Sequence, residues 1–457
     1  MVPEVAMYFC YSLLMVFWGV LLIPAFAYRA WRYQKRIPGL SQRLGRLPET
    51  LRFDGRETIW FHSCSVGETL SLQALVSSLH KKFPAMRFVF STITSTGQQV
   101  AIRSFADYGK GNTFYFPIDF AAISRRVLDW IRPAMLVIVD TEIWPNTVHQ
   151  ARLRGIPVVL VNGRISASSF RYYRWARPIL RRVFQNYRIL MMQSEEDANR
   201  ILQIGAPAGK VVMTGNIKFD GDMAGTQSEQ ELAGGLQKAF DLGTANAPLI
   251  VAGSTHPEEE QILLAAFRGI RRLPELENTR LLLAPRHPER FDAVAQLAAD
   301  NGFKVRRRTD GASGPPNPDV LLLDSMGELS AAYRFATLVF IGGTLIRRGG
   351  HSIMEPARHS KAIVIGPYME NFRSVAEEFL TYGGIRQIAA GEENKSQQIQ
   401  QLMEVFSELL HNSQEREALG TAAHAILERN RGAAHRAFQR IAEIYEETKM
   451  SKCLTCN

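Results

Sequence analysis

Short apolar runs alternate with amphipathic stretches along most of this chain, and that alternation limits its fold more than any other feature. Apolar runs stand at 58–62, 87–94, 114–118, 135–140, 157–162, 189–193 and 211–214. Between them lie stretches with helical periodicity, such as 70–83, 121–131 and 195–204. Short apolar strands alternating with helices build a parallel, doubly wound sheet buried on both faces. The rhythm pauses at 221–230, a polar, small-residue segment read as a linker. It then restarts, with strands predicted at 249–253, 280–284, 320–323, 338–342 and 362–365. Helices at 258–271, 290–301, 329–335 and 375–381 separate them, and 396–449 reads as helix throughout. The expected fold class is therefore α/β, with two Rossmann-like domains facing a central cleft. In open α/β sheets ligands bind beyond the carboxyl ends of the strands, so candidate residues belong in the loops just after them. The predicted boundaries are an anchor at 1–28, a first domain at 29–222 and a second at 223–457 that includes the terminal helices.

Residues 5–27 carry no charge and are rich in Leu, Val, Phe and Met. At 1.5 Å per residue such a helix spans about 34 Å, enough to cross a hydrocarbon core of about 30 Å. A cleaved signal peptide would place basic residues before the apolar run. Here they follow it, as Arg29, Arg32, Lys35, Arg36, Arg43 and Arg46. The positive-inside bias puts Arg29 onward in the cytoplasm, on a single retained anchor helix in contact with membrane phospholipids, with a buried core helix as the alternative. Four cysteines, Cys10, Cys64, Cys453 and Cys456, are too few for a disulfide framework in 457 residues and fit a reducing compartment.

The formal charge is +10. No acid occurs between Glu142 and Glu195, whereas Arg152, Arg154, Arg164, Arg171, Arg174, Arg177, Arg181, Arg182 and Arg188 all fall there. A basic face implies an anionic partner. No nucleic-acid motif accompanies these arginines, so nucleic acid is not expected.

Six loops follow strands and carry groups with chemistry. His62-Ser63-Cys64-Ser65-Val66-Gly67-Glu68 opens a helix. Glu68 there either complements the helix dipole or serves as a carboxylate base for a hydroxyl. Asp140-Thr141-Glu142 leaves an apolar strand ahead of Trp144-Pro145, and Glu142 could offset positive charge on a reacting carbon. Lys218, in Thr214-Gly215-Asn216-Ile217-Lys218-Phe219-Asp220, is a point charge suited to phosphate, or an ordinary solvated lysine. Arg286 and His287 follow a strand as Ala284-Pro285-Arg286-His287-Pro288 and can hold phosphate. Met326, Gly327 and Glu328 form a turn after 320–323. Gly342-Gly343-Thr344 and Gly349-Gly350-His351-Ser352-Ile353-Met354-Glu355-Pro356 form a glycine loop leading into a helix, a pattern that favours phosphate, with Glu355 placed for a ribose diol. Asp220-Gly221-Asp222 has the look of a metal-binding DxD, but it falls in the predicted linker, and no metal is expected.

With HSCSVGE, STITSTG, FPID, DTEIWPN, VNGRIS, TGNIKFD, APRHPER, MGEL, GGHSIMEP and GPYMENF in this order, the chain resembles the 3-deoxy-D-manno-octulosonic acid (Kdo) transferases of lipopolysaccharide synthesis. The resemblance runs from the anchor to about Gly384. It implies a GT-B type fold, CMP-Kdo as donor, a lipid A precursor as acceptor, and an inverting reaction without metal or other cofactor. It implies a bacterial inner-membrane protein with its catalytic domains on the cytoplasmic side. It assigns Glu68 as general base and Glu142 with Lys218 as the transition-state-stabilising pair. It assigns Arg286, His287, Met326, Gly327, Glu328, Ser352, Ile353, Met354 and Glu355 to CMP. Ser352-Ile353-Met354 departs from the family pattern, which has Asn-Pro-Leu there.

Overall fold

The computed structural model describes residues 38–220, 227–242, 247–389, 391 and 394–455, together with Met7, Tyr8, Tyr11, Ser12, Leu13, Met15 and Phe17. The chain divides into two compact units, residues 1–221 with 430–457, and residues 222–429.

The first unit holds seven parallel strands: β1 (Thr58–His62), β2 (Arg87–Thr92), β3 (Thr113–Tyr115), β4 (Met135–Val139), β5 (Val158–Gly163), β6 (Ile189–Met192) and β7 (Val211–Met213). Their order is β3-β2-β1-β4-β5-β6-β7. The second unit has β8 (Leu249–Thr255), β9 (Arg280–Pro285), β10 (Val305–Arg307), β11 (Val320–Leu322), β12 (Leu338–Ile341), β13 (Ala362–Ile365) and β14 (Arg386–Gln387), in the order β10-β11-β9-β8-β12-β13-β14. Both sheets reverse direction once, at β1/β4 and at β8/β12. At each reversal, connections leave to opposite faces and open a crevice at the strand ends. The α/β class with two parallel-sheet domains is thus present.

Burial explains why the strands were legible. In β1, β2, β4 and β5 every residue is buried. Leu136, Ile138 and Trp60 pack on one face of the first sheet, and Val137, Val139 and Phe61 on the other. β10 and β14 were not expected. Both are edge strands, and neither contains an apolar run. In β10 the Arg306 guanidinium is buried against the Pro315 carbonyl, 2.7 Å away, and Asp241, also 2.7 Å away.

The expected second-domain boundary needs correction at its end. The helical tail is three helices, Lys395–His411, Ser413–Asn430 and Ala433–Thr455. The last belongs to the first unit, because Ala433, Ala437, Ile441 and Ile444 complete the core beneath β1, β2 and β4. Asp220 accepts hydrogen bonds from the Gly432 and Ala434 amides at the start of that helix. This carboxylate is therefore a helix cap, and Asp222 of the DxD lies outside the described residues. The linker expected at 221–230 is shorter in its described part, since a helix starts at Gln227 (Gln227–Phe240).

Most of the predicted anchor, 1–28, lies outside the described residues. Among the described residues, no helix is long and apolar enough to cross a membrane. Those of the apolar run that are described are helical and dock on the first unit. Tyr8 stacks on His149 at 3.9 Å and accepts from Asn186 Nδ2 at 2.7 Å. Tyr11 donates to Asp119, and Ser12 accepts from Asn146 at 3.1 Å.

The tail assignment predicts a local effect. Ile441→Ala should cost about 2–5 kcal/mol, the usual loss for a fully buried aliphatic side chain. Native-state hydrogen exchange should show lost protection in β1, β2 and β4 and unchanged protection in β8 and β9.

Candidate active site

In the first unit the expected residues gather where the sheet reverses. β1 ends at His62, and Ser65 caps the helix Val66–Lys82 by accepting from the Glu68 amide. Glu68 folds back over this start. Its Oε1 accepts from the Ser65 hydroxyl at 2.7 Å, and its Oε2 from the Cys64 amide at 2.6 Å. Such a reciprocal cap fixes the carboxylate's position. Glu68 is 9% exposed. Burial above all, and then the Asp140 charge, push its carboxyl up to about 7, against the pull of Ser65, Cys64 and Lys218. Cap and buried carboxylate are thus one and the same residue.

Asp140 directly follows β4 and adopts a left-handed backbone with φ 55°. On the neighbouring strand Asn162 does the same, with φ 63°. Asx residues tolerate this region better than others, at a cost of order 1–3 kcal/mol each. The conformation brings their side chains together. Asn162 Nδ2 donates to Asp140 Oδ1 at 2.6 Å, and Asn162 Oδ1 accepts from the Ile217 amide at 3.0 Å. That second bond fixes the short turn Ile217–Asp220, from which Lys218 Nζ donates to Asp140 Oδ2 at 3.1 Å. Lys218 is therefore a half-buried, ion-paired group. Asp140 was quoted within its motif but given no role. The ion pair joins Lys218 to Asp140, where the sequence reading had grouped it with Glu142.

Glu142 lies beside Cys64, whose thiol donates to it; burial raises its carboxyl, and Asp140 adds to this. His62 is fully buried and stacks on Phe116 at 3.8 Å. Burial pushes its imidazole down to about 3, so the ring is neutral. Three carboxylates, a neutral histidine and one ammonium thus surround the end of β1 and β4.

In the second unit the counterpart region lies after β8, β9, β11 and β12. His256, just after β8, faces His351 with their Nε2 atoms 2.9 Å apart. Burial and the neighbouring His287, Arg348, Arg286 and Arg290 hold His256 down near 4, and His351 sits near 4 for similar reasons. Arg286 and His287 are exposed beside this pair, and Arg290 is paired with Glu260 at 3.2 Å. Glu259 organises the glycine loop. It accepts from the amides of Gly343 (2.7 Å), Thr344 (3.0 Å), Leu345 (2.9 Å) and His256 (3.0 Å). Gly349 and Gly350 have φ 85° and 72°, where only glycine is unstrained.

The other expected donor contacts divide by type. Gly327 makes its turn at φ 84°, and Met326 is 59% exposed. Glu328 is buried and ion-paired with Arg308 at 3.0 Å, so its carboxylate braces the turn. Ile353 and Met354 point into the core, leaving main-chain groups as what they can offer a ligand. The helix begins at Met354 with Ile353 in the cap position, one residue later than a Ser352 cap would place it; the Ser352 hydroxyl accepts weakly from the Met354 amide at 3.4 Å. Glu355 is half-buried in the first turn of that helix (Met354–Arg358).

A family model described as 3-deoxy-D-manno-octulosonic-acid transferase (kdotransferase) matches residues 38–221. The chain is 30% identical over 433 residues to the 3-deoxy-D-manno-octulosonic acid transferase of Haemophilus influenzae, covering 93% of this chain and 94% of the relative. This chain belongs to the Kdo transferase family. A second relative, from Bordetella pertussis, is 31% identical over 424 residues, covering 90% of this chain and 94% of its own length. Among solved structures, MurG of Acinetobacter baumannii is similar with a TM-score of 0.53 at 13% identity, covering 85% of this chain and 99% of that one. At that identity the likeness speaks to fold alone, and it agrees with the GT-B class.

Several residues of this Kdo transferase escaped the sequence reading: Asp140, Asn162, His256, Glu259 and His351. The available signal was position. The loop after the apolar run 249–253 holds His256 and Glu259 in the same kind of position as the other candidates. The contacts set opposite shifts at Glu68. Asp140→Asn removes a repelling charge and should lower the Glu68 pKa, whereas Lys218→Met removes an attracting one and should raise it. Carboxyl ¹³C titration by NMR reads both.

Proposed function

We propose that this Kdo transferase moves Kdo from CMP-Kdo to the lipid A precursor lipid IVA, with inversion, without a metal, and with Glu68 as general base. The observation that carries the reading is Glu68 itself. It is a buried carboxylate, fixed by two hydrogen bonds and raised to about 7 by burial, so it can accept a proton near neutral pH. A carboxylate at its ordinary value would be a far weaker base there.

The acceptor hydroxyl oxygen attacks the anomeric carbon of Kdo. Its proton passes to Glu68, and the bond to the cytidylate phosphate breaks with the electron pair leaving on that phosphate. Glu142 offsets positive charge on the sugar, and Lys218, held by Asp140, offsets negative charge as the reaction proceeds. CMP is held by the second unit. Arg286 supplies cationic contact to its phosphate, and His287 beside the His256–His351 pair offers a hydrogen bond. The turn Met326-Gly327-Glu328 and the segment Ser352-Ile353-Met354 offer main-chain groups to the nucleotide, and Glu355 accepts from the ribose. The departure from Asn-Pro-Leu is compatible with this reading, because Ile353 and Met354 side chains are buried.

The lipid acceptor accounts for the acid-free arginine stretch. On the helices Ala167–Trp175 and Arg177–Phe184, Arg171, Arg174, Arg177, Arg181 and Arg182 stand beside exposed Tyr172 and Trp175, an arrangement suited to phosphorylated sugar and lipid headgroups; Arg154 and Arg188 are paired with Asp129 and Glu447. Asp220 supports a metal-free reaction, since it is engaged in capping a helix. An N-terminal anchor on the bacterial inner membrane, with both units on the cytoplasmic side, would keep the enzyme beside its lipid substrate.

Incubation of the full-length protein with CMP-Kdo and lipid IVA, with products read by mass, tests the reaction. One or more added Kdo residues are expected, and CMP should inhibit where UDP does not. Glu68→Gln should lose about 10²–10⁴-fold in turnover and keep CMP affinity. The pH dependence follows from the raised value. Glu68 is mostly protonated below about 7 and becomes the competent base above it, so the rate should climb as pH passes through 7. A rate already level from pH 5 upward would exclude Glu68 as the base.

A further inference from the structure

His62 Nε2, Cys64 Sγ and a Glu142 carboxylate oxygen lie within 4.8 Å of one another at the ends of β1 and β4. The transfer reaction as proposed uses neither the thiol nor the imidazole.

The histidine is oriented as a ligand. Its Nδ1 lies 3.2 Å from the Ser91 carbonyl oxygen and 3.0 Å from the Ser91 hydroxyl. A carbonyl can only accept. The same hydroxyl already accepts from Trp60 Nε1 at 2.7 Å and directs its own proton at the Phe61 carbonyl, 3.4 Å away. Nδ1 therefore carries the proton. Nε2 is left with its lone pair, 4.0 Å from Cys64 Sγ. Donation of one ring N–H to a carbonyl, with the other nitrogen free, is the usual arrangement of metal-bound histidine. Stacking on Phe116 keeps the ring in place. The thiol in turn points its hydrogen at Glu142, with Glu68 and Asp140 also close enough to act on it, so the local field favours a cation.

One sulfur, one imidazole nitrogen and one carboxylate oxygen suit a borderline-soft divalent ion better than Mg²⁺ or Ca²⁺, which favour oxygen alone. We propose that His62, Cys64 and Glu142 form a site for a zinc-class divalent cation, with a fourth position open, and that its occupancy shuts off transfer by taking Glu142. Binding exchanges one proton for the metal. The Cys64 S–H bond breaks, its proton goes to solvent, and the sulfur–metal bond forms with no change in oxidation state. The shut-off rests on the role proposed for Glu142, while the site itself stands on the geometry.

The test uses the full-length protein and Co²⁺ as a coloured substitute for zinc. A sulfur-to-cobalt charge-transfer band should saturate at one equivalent. It should vanish in Cys64→Ala and Cys64→Ser, and persist in the Cys453→Ser/Cys456→Ser double variant, which removes the other thiol pair. Glu142→Gln should weaken binding by at least about tenfold, in line with loss of a ligand. Matched circular dichroism and melting of the two Cys64 variants separate loss of the site from loss of the fold. No band in the unsubstituted protein, or a band that survives both Cys64 substitutions, overturns the site. Turnover is then compared with and without Zn²⁺. The ratio should fall toward zero in the unsubstituted protein and stay near one in Cys64→Ala. Zinc that binds and leaves turnover unchanged overturns the shut-off. The cobalt reading needs no catalysis, so it succeeds or fails independently of the assigned reaction.

Discussion

The ion pair between Lys218 and Asp140 is the interaction on which the charge balance at the end of β1 and β4 depends. Three carboxylates, Glu68, Asp140 and Glu142, crowd the end of β1 and β4, and like charges so close resist ionisation together. Lys218 supplies the compensating charge at 3.1 Å from Asp140. Pairs shielded from water in this way interact strongly, and removal of one partner leaves the other charge uncompensated. Asn162 makes the pairing possible. It bonds Asp140 on one side and the Ile217 amide on the other, so the lysine turn and the strand end are held as one piece. The left-handed backbone at both Asx residues is the cost of that geometry.

The two sheets solve one problem twice. In a doubly wound open sheet the strand order reverses once, and that switch leaves an opening at the carboxyl ends of two adjacent strands. In the first unit that opening, at β1/β4, collects negative groups around a single lysine. In the second, at β8/β12, it collects His256, His351, Arg286 and Arg348. The same architecture therefore presents carboxyl groups in one unit and, in the other, arginines beside two histidines that burial keeps neutral. Glu259 shows how far the fold goes to shape the second opening: a fully buried carboxylate is spent on holding four loop amides.

Much of this was legible before any coordinates. Central strands such as β1, β4 and β13 are unbroken apolar runs because both faces of a parallel sheet are covered, and a run of that kind has few other uses. The edge strand β10, with Arg306 and Arg307, carries no such run and passed unseen, whereas the edge strands β3 and β7 are apolar enough to be read. The final helix was read correctly as helix and placed in the wrong domain. An amphipathic stripe tells which face seeks a core, and it says nothing about which core. Glu68, Glu142 and Lys218 stood out because they lie in motif-bearing loops that follow apolar strands. Asp140 and Asn162 did not, because their value lies in bonds to residues 78 and 55 positions away.

The order of residues, then, determined the alternating α/β class, the two sheets, the family and the loops that carry chemistry, since periodicity and motif are local properties of a chain. Tertiary structure alone decided which charges meet. It joined Lys218 to Asp140, raised Glu68 by burying it, turned His62 Nε2 toward Cys64, and returned the C-terminal helix to the first core. Each of these depends on distances between segments remote in sequence and on the exclusion of water, and neither quantity exists until the chain has folded.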